Sequence, residues 1–133
     1  MRAAVRQYRV RDYHRLEIWR RAHALAIAIH KTARGMRGNE FAGLRAQLTR
    51  AANSVAATIV EGCGAASTRE FARYLDMSIK SASETEYHLL EARDLGGIAD
   101  RRWRTLSGEA VEIRRMTYVY RKRLLEDDKD ESA

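Results

Sequence analysis

No proline occurs in the 133 residues, and cysteine occurs once. Sheet proteins of this size usually rely on Pro and Asn-Gly turns to punctuate their strands. Their absence, with abundant alanine, favours helices. A single thiol, Cys63, cannot form an intramolecular disulfide, which fits a reducing, cytoplasmic setting. No apolar run approaches the roughly 18 residues of a membrane span. The opening "MRAAVRQYRVRDYHRLEIWRR" also lacks the apolar centre of a signal peptide.

The length suits one domain with one core. Hydrophobic residues make up 45%, enough to fill it. The formal net charge of +7 is unevenly spread. Residues 1–37 hold ten Lys/Arg against two Asp/Glu, and residues 101–125 hold eight against two. The middle, 38–100, is mildly acidic, and 126–133 carries five acids and one lysine. Basic ends flanking an acidic middle suggest an anionic partner: RNA, DNA or an acidic protein. A merely soluble basic surface is the plainer alternative.

Apolar residues recur at alternating steps of three and four along four segments, the spacing of one helix face. The first line is Trp19, Ala22, Ala26, Ile29, Ala33 and Met36, closed by Gly35 and Gly38. The second begins near Asn39, a candidate N-cap, and runs Phe41, Leu44, Leu48, Ala51, Val55, Ile59, Gly62. The third is opened by "STRE", a capping-box pattern on Ser67 and Glu70, and runs Phe71, Leu75, Ser78, Ala82, Thr85, Leu89, Ala92. Gly96-Gly97 ends it. The fourth runs Trp103, Leu106, Ala110, Ile113, Thr117, Tyr120, Leu124. Four amphipathic helices with short links predict an all-α, single-domain, antiparallel up-and-down four-helix bundle over residues 14–125. A basic segment at 1–13 precedes it. An acidic tail at 126–133, with nothing to bury, is expected to be disordered.

The stretch "AANSVAATIVEGCGAAS" (51–67) then reads as the end of the second helix and its corner. Its alanines let a neighbouring helix approach. Ser54 and Thr58 can hydrogen-bond to the backbone one turn back. Glu61, an anion near a helix C-terminus, is expected to have a partner such as an arginine or a hydrogen bond at the corner.

These residues also match a family. "EFAGLRAQLTRAANSVAATIVEG", "STREFARYL" and "SASETEYHLLEARDLG" resemble the four-helix-bundle proteins encoded in intervening sequences of bacterial large-subunit ribosomal RNA genes. The resemblance rests on Glu40, Phe41, Gly43 and Leu44, then Gln47, Arg50 and Ala51, then Ser54 and Val55. It continues through Ile59, Glu61 and Gly62, through Ser81, Glu84 and Glu86, and through Leu95 and Gly96. "LEIW" (Leu16 to Trp19) fits as well. Thr58 stands where the family has Asn, and Ala65 where a basic residue is common. The usual Pro before the second helix is missing from "GMRGNE". The match covers about residues 14–122. It implies a homo-oligomer, a pentameric ring, with no cofactor and no catalytic activity. Related bundles in diversity-generating retroelements look like nucleic-acid-binding partners of a reverse transcriptase.

Reactive chemistry finds little footing. A nucleophilic Cys63 needs a base in an electropositive setting, and no histidine is near it in sequence. "EGCGAAS" has the glycines of a phosphate loop but neither its lysine nor a preceding strand. His23 with His30, or Glu84 with His88, lack the paired Glu-x-x-His spacing of di-iron bundles. Neither metal nor cofactor is expected.

Cationic chemistry is better supported. On the fourth helix Arg104, Arg115 and Lys122 fall opposite the Ile113 line, and Arg114, Arg121 and Arg123 widen that surface. On the first, Arg15, Arg20, Arg21, Lys31, Arg34 and Arg37 lie off the core line. The two helices are neighbours in an up-and-down bundle, so these charges can merge into one phosphate-binding face. A second apolar line, Val111, Tyr118 and Leu125, suggests a subunit contact; a wide core face would also explain it. Two readings follow: an oligomeric, non-enzymatic nucleic-acid-binding protein, or a protein-interaction scaffold with no direct nucleic-acid role.

Overall fold

The computed structural model describes residues 11–132. The first ten residues of the expected basic segment lie outside them. Four helices follow one another: α1 (Glu17–Ala33), α2 (Ala42–Cys63), α3 (Thr68–Asp94) and α4 (Asp100–Ser132). Short 3-10 turns precede α1 (Tyr13–Arg15) and α2 (Asn39–Phe41). No strand occurs among the described residues. Each helix packs on the next, and α4 returns to α1, closing an all-α, up-and-down four-helix bundle. The α2–α3 and α3–α4 seams are the most extensive, and the α1–α4 seam is the thinnest.

The four apolar lines form the core. Every residue of the α3 line, from Phe71 to Ala92, is buried, Ser78 and Thr85 included. Leu106, Ala110, Ile113 and Thr117 of α4 are buried too, while Trp103, Tyr120 and Leu124 at its ends are half-buried. On α1, Ile18 and Leu25 join the expected residues, because the buried stripe is wider than a two-per-heptad line.

The corners follow local chemistry. Ser67 Oγ accepts from the Glu70 amide at 3.1 Å, and Glu70 Oε2 accepts from the Ala66 amide at 3.1 Å. This is the expected capping box, with the carboxylate reaching one residue further back. After α3, Gly96 adopts φ +77°, and the Gly97 amide donates to the Ala92 carbonyl at 2.7 Å. That left-handed turn favours glycine.

Three expectations are corrected. Asn39 does not cap α2: it sits inside the 3-10 turn, and Gly38, at φ +103°, takes the position before it. Glu61 is exposed, and its carboxylate has no partner among the described residues. Its backbone carbonyl does the corner's work instead, accepting from the Gly64 amide at 3.1 Å, while the Arg11 amide donates to the Cys63 carbonyl at 3.1 Å. The acidic tail is also not disordered: α4 continues through it to Ser132. No Gly or Pro interrupts the chain after Gly108, and extending a formed helix needs one hydrogen bond per residue rather than a new nucleus.

Candidate nucleic-acid interface

Helices α1 and α4 run antiparallel, so the start of α1 lies beside the C-terminal half of α4. Polar ties cross the seam. Arg21 grips Glu109 with two hydrogen bonds, Nε to Oε1 at 2.8 Å and Nη2 to Oε2 at 3.0 Å. This hydrogen bonding raises the guanidinium pKa further above its ordinary value. Arg102 Nε donates to Thr32 Oγ1 at 2.9 Å near the other end.

Below the Arg21 tie the helices part into a groove of about 540 Å³. Leu16, Ile18, Met116, Val119 and Tyr120 form its apolar lining; Arg15, Arg115 and Arg123 bring cations, and Glu17 and Glu112 bring acids. The Arg15 side chain is 89% exposed and only loosely paired, 3.9 Å from Asp12. Arg115 and Arg123 have no partner among the described residues.

The structure divides the twelve cations expected on this face into three groups. Arg21, Arg114 and Arg121 are spent inside the bundle. Arg114 Nε donates to Glu86 Oε2 at 2.7 Å, and Arg121 Nε to the Ala72 carbonyl at 2.9 Å, so both tie α4 to α3. Arg20 Nη1 donates to the His14 carbonyl at 2.9 Å, and Arg104 pairs with Asp100 at 2.7 Å; both remain exposed. The rest are exposed and fall at two ends. Arg15, Arg115, Lys122 and Arg123 lie at the groove end. Lys31, Arg34 and Arg37 lie at the end of α1, about 24 Å away from Arg15 at 1.5 Å per residue.

Val111, Tyr118 and Leu125 alternate with Arg114 and Arg121 in steps of three and four, so they border the opposite, α3-facing flank of α4. Val111 and Leu125 are half-buried and Tyr118 is 57% exposed. Leu90, on the same flank of α3 as Glu86, is exposed beside the same seam.

Cys63 is buried, and desolvation raises its thiol pKa, the opposite of what a nucleophile needs. His88 is held between Glu91 (2.7 Å) and Glu84 (3.3 Å), and His30 meets Asn53 Oδ1 at 2.9 Å. Among the described residues no group of three or more His, Cys, Asp or Glu is placed to hold a metal ion, and no helix is long and apolar enough to cross a membrane.

A model of the 23S rRNA-intervening sequence protein family matches residues 14–119. The chain belongs to that family. A crystal structure of a protein of unknown function from the S23 ribosomal protein family of Bacteroides thetaiotaomicron superposes with a TM-score of 0.74. It shares 22% identity and covers 79% of this chain and 98% of its own, which establishes a common fold. No curated protein matches the chain. Several polar residues that carry the family resemblance are bundle ties. Ser81 Oγ of α3 donates to Ser54 Oγ of α2 at 2.9 Å, and Glu86 of α3 holds Arg114 of α4, while Glu84 faces His88 within α3 itself. The matching residues thus include ties that lock the helices together, and Arg15, Arg115 and Arg123 of the groove are not among them.

Sequence periodicity could not separate Arg21 and Arg114 from Arg115, because all lie off the core line. The missing signal is the acid on the facing helix. Met116 and Val119 went unread because they belong to neither apolar line, yet they line the groove between the cations.

Proposed function

We propose that the protein is a non-enzymatic, self-associating accessory protein of the cytoplasm that binds RNA or DNA through phosphate contacts along the α1–α4 side. The observation that carries this reading is the groove, where exposed Arg15, Arg115 and Arg123 converge on an apolar lining. Unpaired guanidinium groups keep their full capacity to displace counterions from phosphates, whereas those tied to Glu109 and Glu86 do not. Lys122 adds to this end, and Lys31, Arg34 and Arg37 offer a second contact for a strand running along α1.

Self-association is favoured by the line of half-buried Val111, exposed Tyr118 and half-buried Leu125 on the other flank of α4. The two uses do not compete, since assembly through the α3–α4 seam leaves the α1–α4 groove open. A pentameric ring would repeat the groove around its circumference. A reverse transcriptase or another protein remains a fitting partner for the same apolar line, which is the observation behind the scaffold reading.

The test is affinity for RNA and DNA against salt. Log affinity should fall linearly with log salt, with a slope near −0.7 per phosphate contact for single strands. Arg115→Glu with Lys122→Glu should weaken binding across sequences by about tenfold or more while circular dichroism stays unchanged. Salt-independent binding, or an unaltered double variant, would transfer the case to the scaffold. Light scattering should give a mass several times 15.2 kDa, reduced by Tyr118→Glu.

A further inference from the structure

Four aromatic rings meet just ahead of and within the first turns of α1. Asp12 Oδ1 accepts from the His14 amide at 3.1 Å and lies 2.9 Å from His14 Nδ1, fixing the 3-10 turn. That turn lays the Tyr13 ring on the His14 imidazole, with centroids 4.1 Å apart and planes at 26°. Trp19 meets Tyr13 edge-on at 4.8 Å and His14 at 5.3 Å. One helical turn later His23 lies parallel to the Trp19 indole, at 5.1 Å and 10°. Tyr13 and Trp19 are half-buried against the core and rigidly backed. His14 and His23 stand outside: the His14 side chain is 65% exposed, and His23 has no hydrogen-bond partner among the described residues.

The core does not require this arrangement. Packing accounts for Tyr13 and Trp19, but it leaves two planar, polar rings stacked outward on an aromatic base. The cations beside them are Arg15, in the groove, and Arg20, whose guanidinium is anchored on the His14 carbonyl. Planar rings interleaved with arginines are the combination that holds unpaired nucleobases. Each base offers a π-face to a ring while its phosphate meets a guanidinium. A duplex hides its base faces in its own stack and can use only the arginines.

We propose that Tyr13, His14, Trp19 and His23 form a base-stacking platform that makes the protein prefer single-stranded RNA or DNA to duplex. This rests on the nucleic-acid reading above and assigns its ligand class. The strand's phosphates run over Arg15 and Arg20, and its bases stack on the outer faces of His14 and His23. Stacking is tolerant of sequence, so the platform selects strandedness rather than a motif.

The experiment measures binding of fluorescein-labelled oligouridylate, oligothymidylate and a duplex of equal length by anisotropy, with tryptophan emission followed in parallel. Both single strands should bind more tightly than the duplex and quench the emission. His14→Ala with His23→Ala should weaken single-strand binding about tenfold, as expected for losing stacking on one to two bases, and leave duplex binding unchanged. His23→Phe, which keeps a flat ring, should retain the preference. Equal affinity for single strand and duplex would overturn the platform, as would a double-alanine variant that still prefers single strands. In both cases the Arg115→Glu, Lys122→Glu loss would survive, and the broader reading with it. Binding to neither form would overturn both.

Discussion

The α2–α3 seam and the α1–α4 seam are built from the same kind of helix and reach opposite ends. Between α2 and α3 the contact residues are small, with Ala51, Val55 and Gly62 spaced along α2. At Gly62 the helices come so close that a methyl group would stand 2.7 Å from Tyr74 Cβ and 2.8 Å from Phe71 Cδ1. Hydroxyls close the remaining gaps: Ser78 Oγ donates to the Val55 carbonyl at 2.7 Å, and Ser81 Oγ to Ser54 Oγ at 2.9 Å. Between α1 and α4 long polar side chains, Arg21 to Glu109 and Arg102 to Thr32, tie the helices by their tips beside an apolar groove. One seam is filled by backbone proximity and excludes everything else. The other is spanned by arginines and leaves a groove. Close packing and an open groove lie on different sides of one small bundle.

The sharpest way to break this comparison is Gly62→Val. The added atoms meet Cβ and ring carbons of the facing helix, so α3 must move, and overpacking should cost about 3 kcal/mol. In a chain of this size that lowers the melting temperature by about 8 °C or more. Val119→Ala, in the groove at 44% exposure, should change stability by less than about 0.5 kcal/mol. Thermal unfolding followed by circular dichroism checks both. Similar losses at the two sites would mean the seams are not different in kind.

A smaller effect separates the arginine ties. Double-mutant cycles on Arg21–Glu109 and Arg114–Glu86 should each give a coupling of about 0.5–1 kcal/mol, because neither pair is fully buried. Glu86 is 23% exposed and Glu109 36%, so the α3–α4 pair should be the stronger and the less weakened by salt. An α1–α4 coupling larger than the α3–α4 one would reverse the ranking of the seams.

The contrast explains what the sequence disclosed. The core was legible because burial imposes a period: Phe71 to Ala92 and Leu106 to Thr117 are buried in the order the three-and-four spacing predicts. Capping at Ser67 was legible because it is local. Glu61 was not, because a carboxylate at a helix end has no local clue to whether an arginine from elsewhere reaches it. The same ignorance hid which arginines are free, since Arg21 and Arg114 are sorted by Glu109 and Glu86, on other helices. The ring ladder fell between these cases. Its members are within eleven residues, yet His23 was grouped with His30 by their seven-residue spacing, while its parallel neighbour is Trp19, four residues back. Tail composition misled because acidity speaks against burial but not against helix.

The last prediction concerns the end of the bundle where the two seams come closest, and it vanishes at neutral pH. Cys63 closes α2, and Tyr120, in the groove, meets Phe71 edge-on at 6.1 Å. Burial raises the pKa of the Cys63 thiol and of the Tyr120 phenol, with the Arg11 cation opposing both shifts. Both groups are acids that are neutral when protonated. Below their ordinary values, roughly 8.5 and roughly 10, neither the folded nor the unfolded chain has released the proton, and folding gains its full benefit. As pH rises past those values the unfolded chain ionises first, so the stability due to their burial declines until the folded groups ionise too. Melting temperature should therefore fall from about pH 8.5 upward, and Tyr120→Phe should flatten the part of that fall above about pH 10. At pH 8 Cys63 should react with a thiol reagent only as fast as the bundle opens. Gly62→Val, which loosens the tight seam beside it, should speed that labelling, whereas Val119→Ala should not. Rapid labelling of the unaltered protein would show that the tight seam does not extend to its last residue.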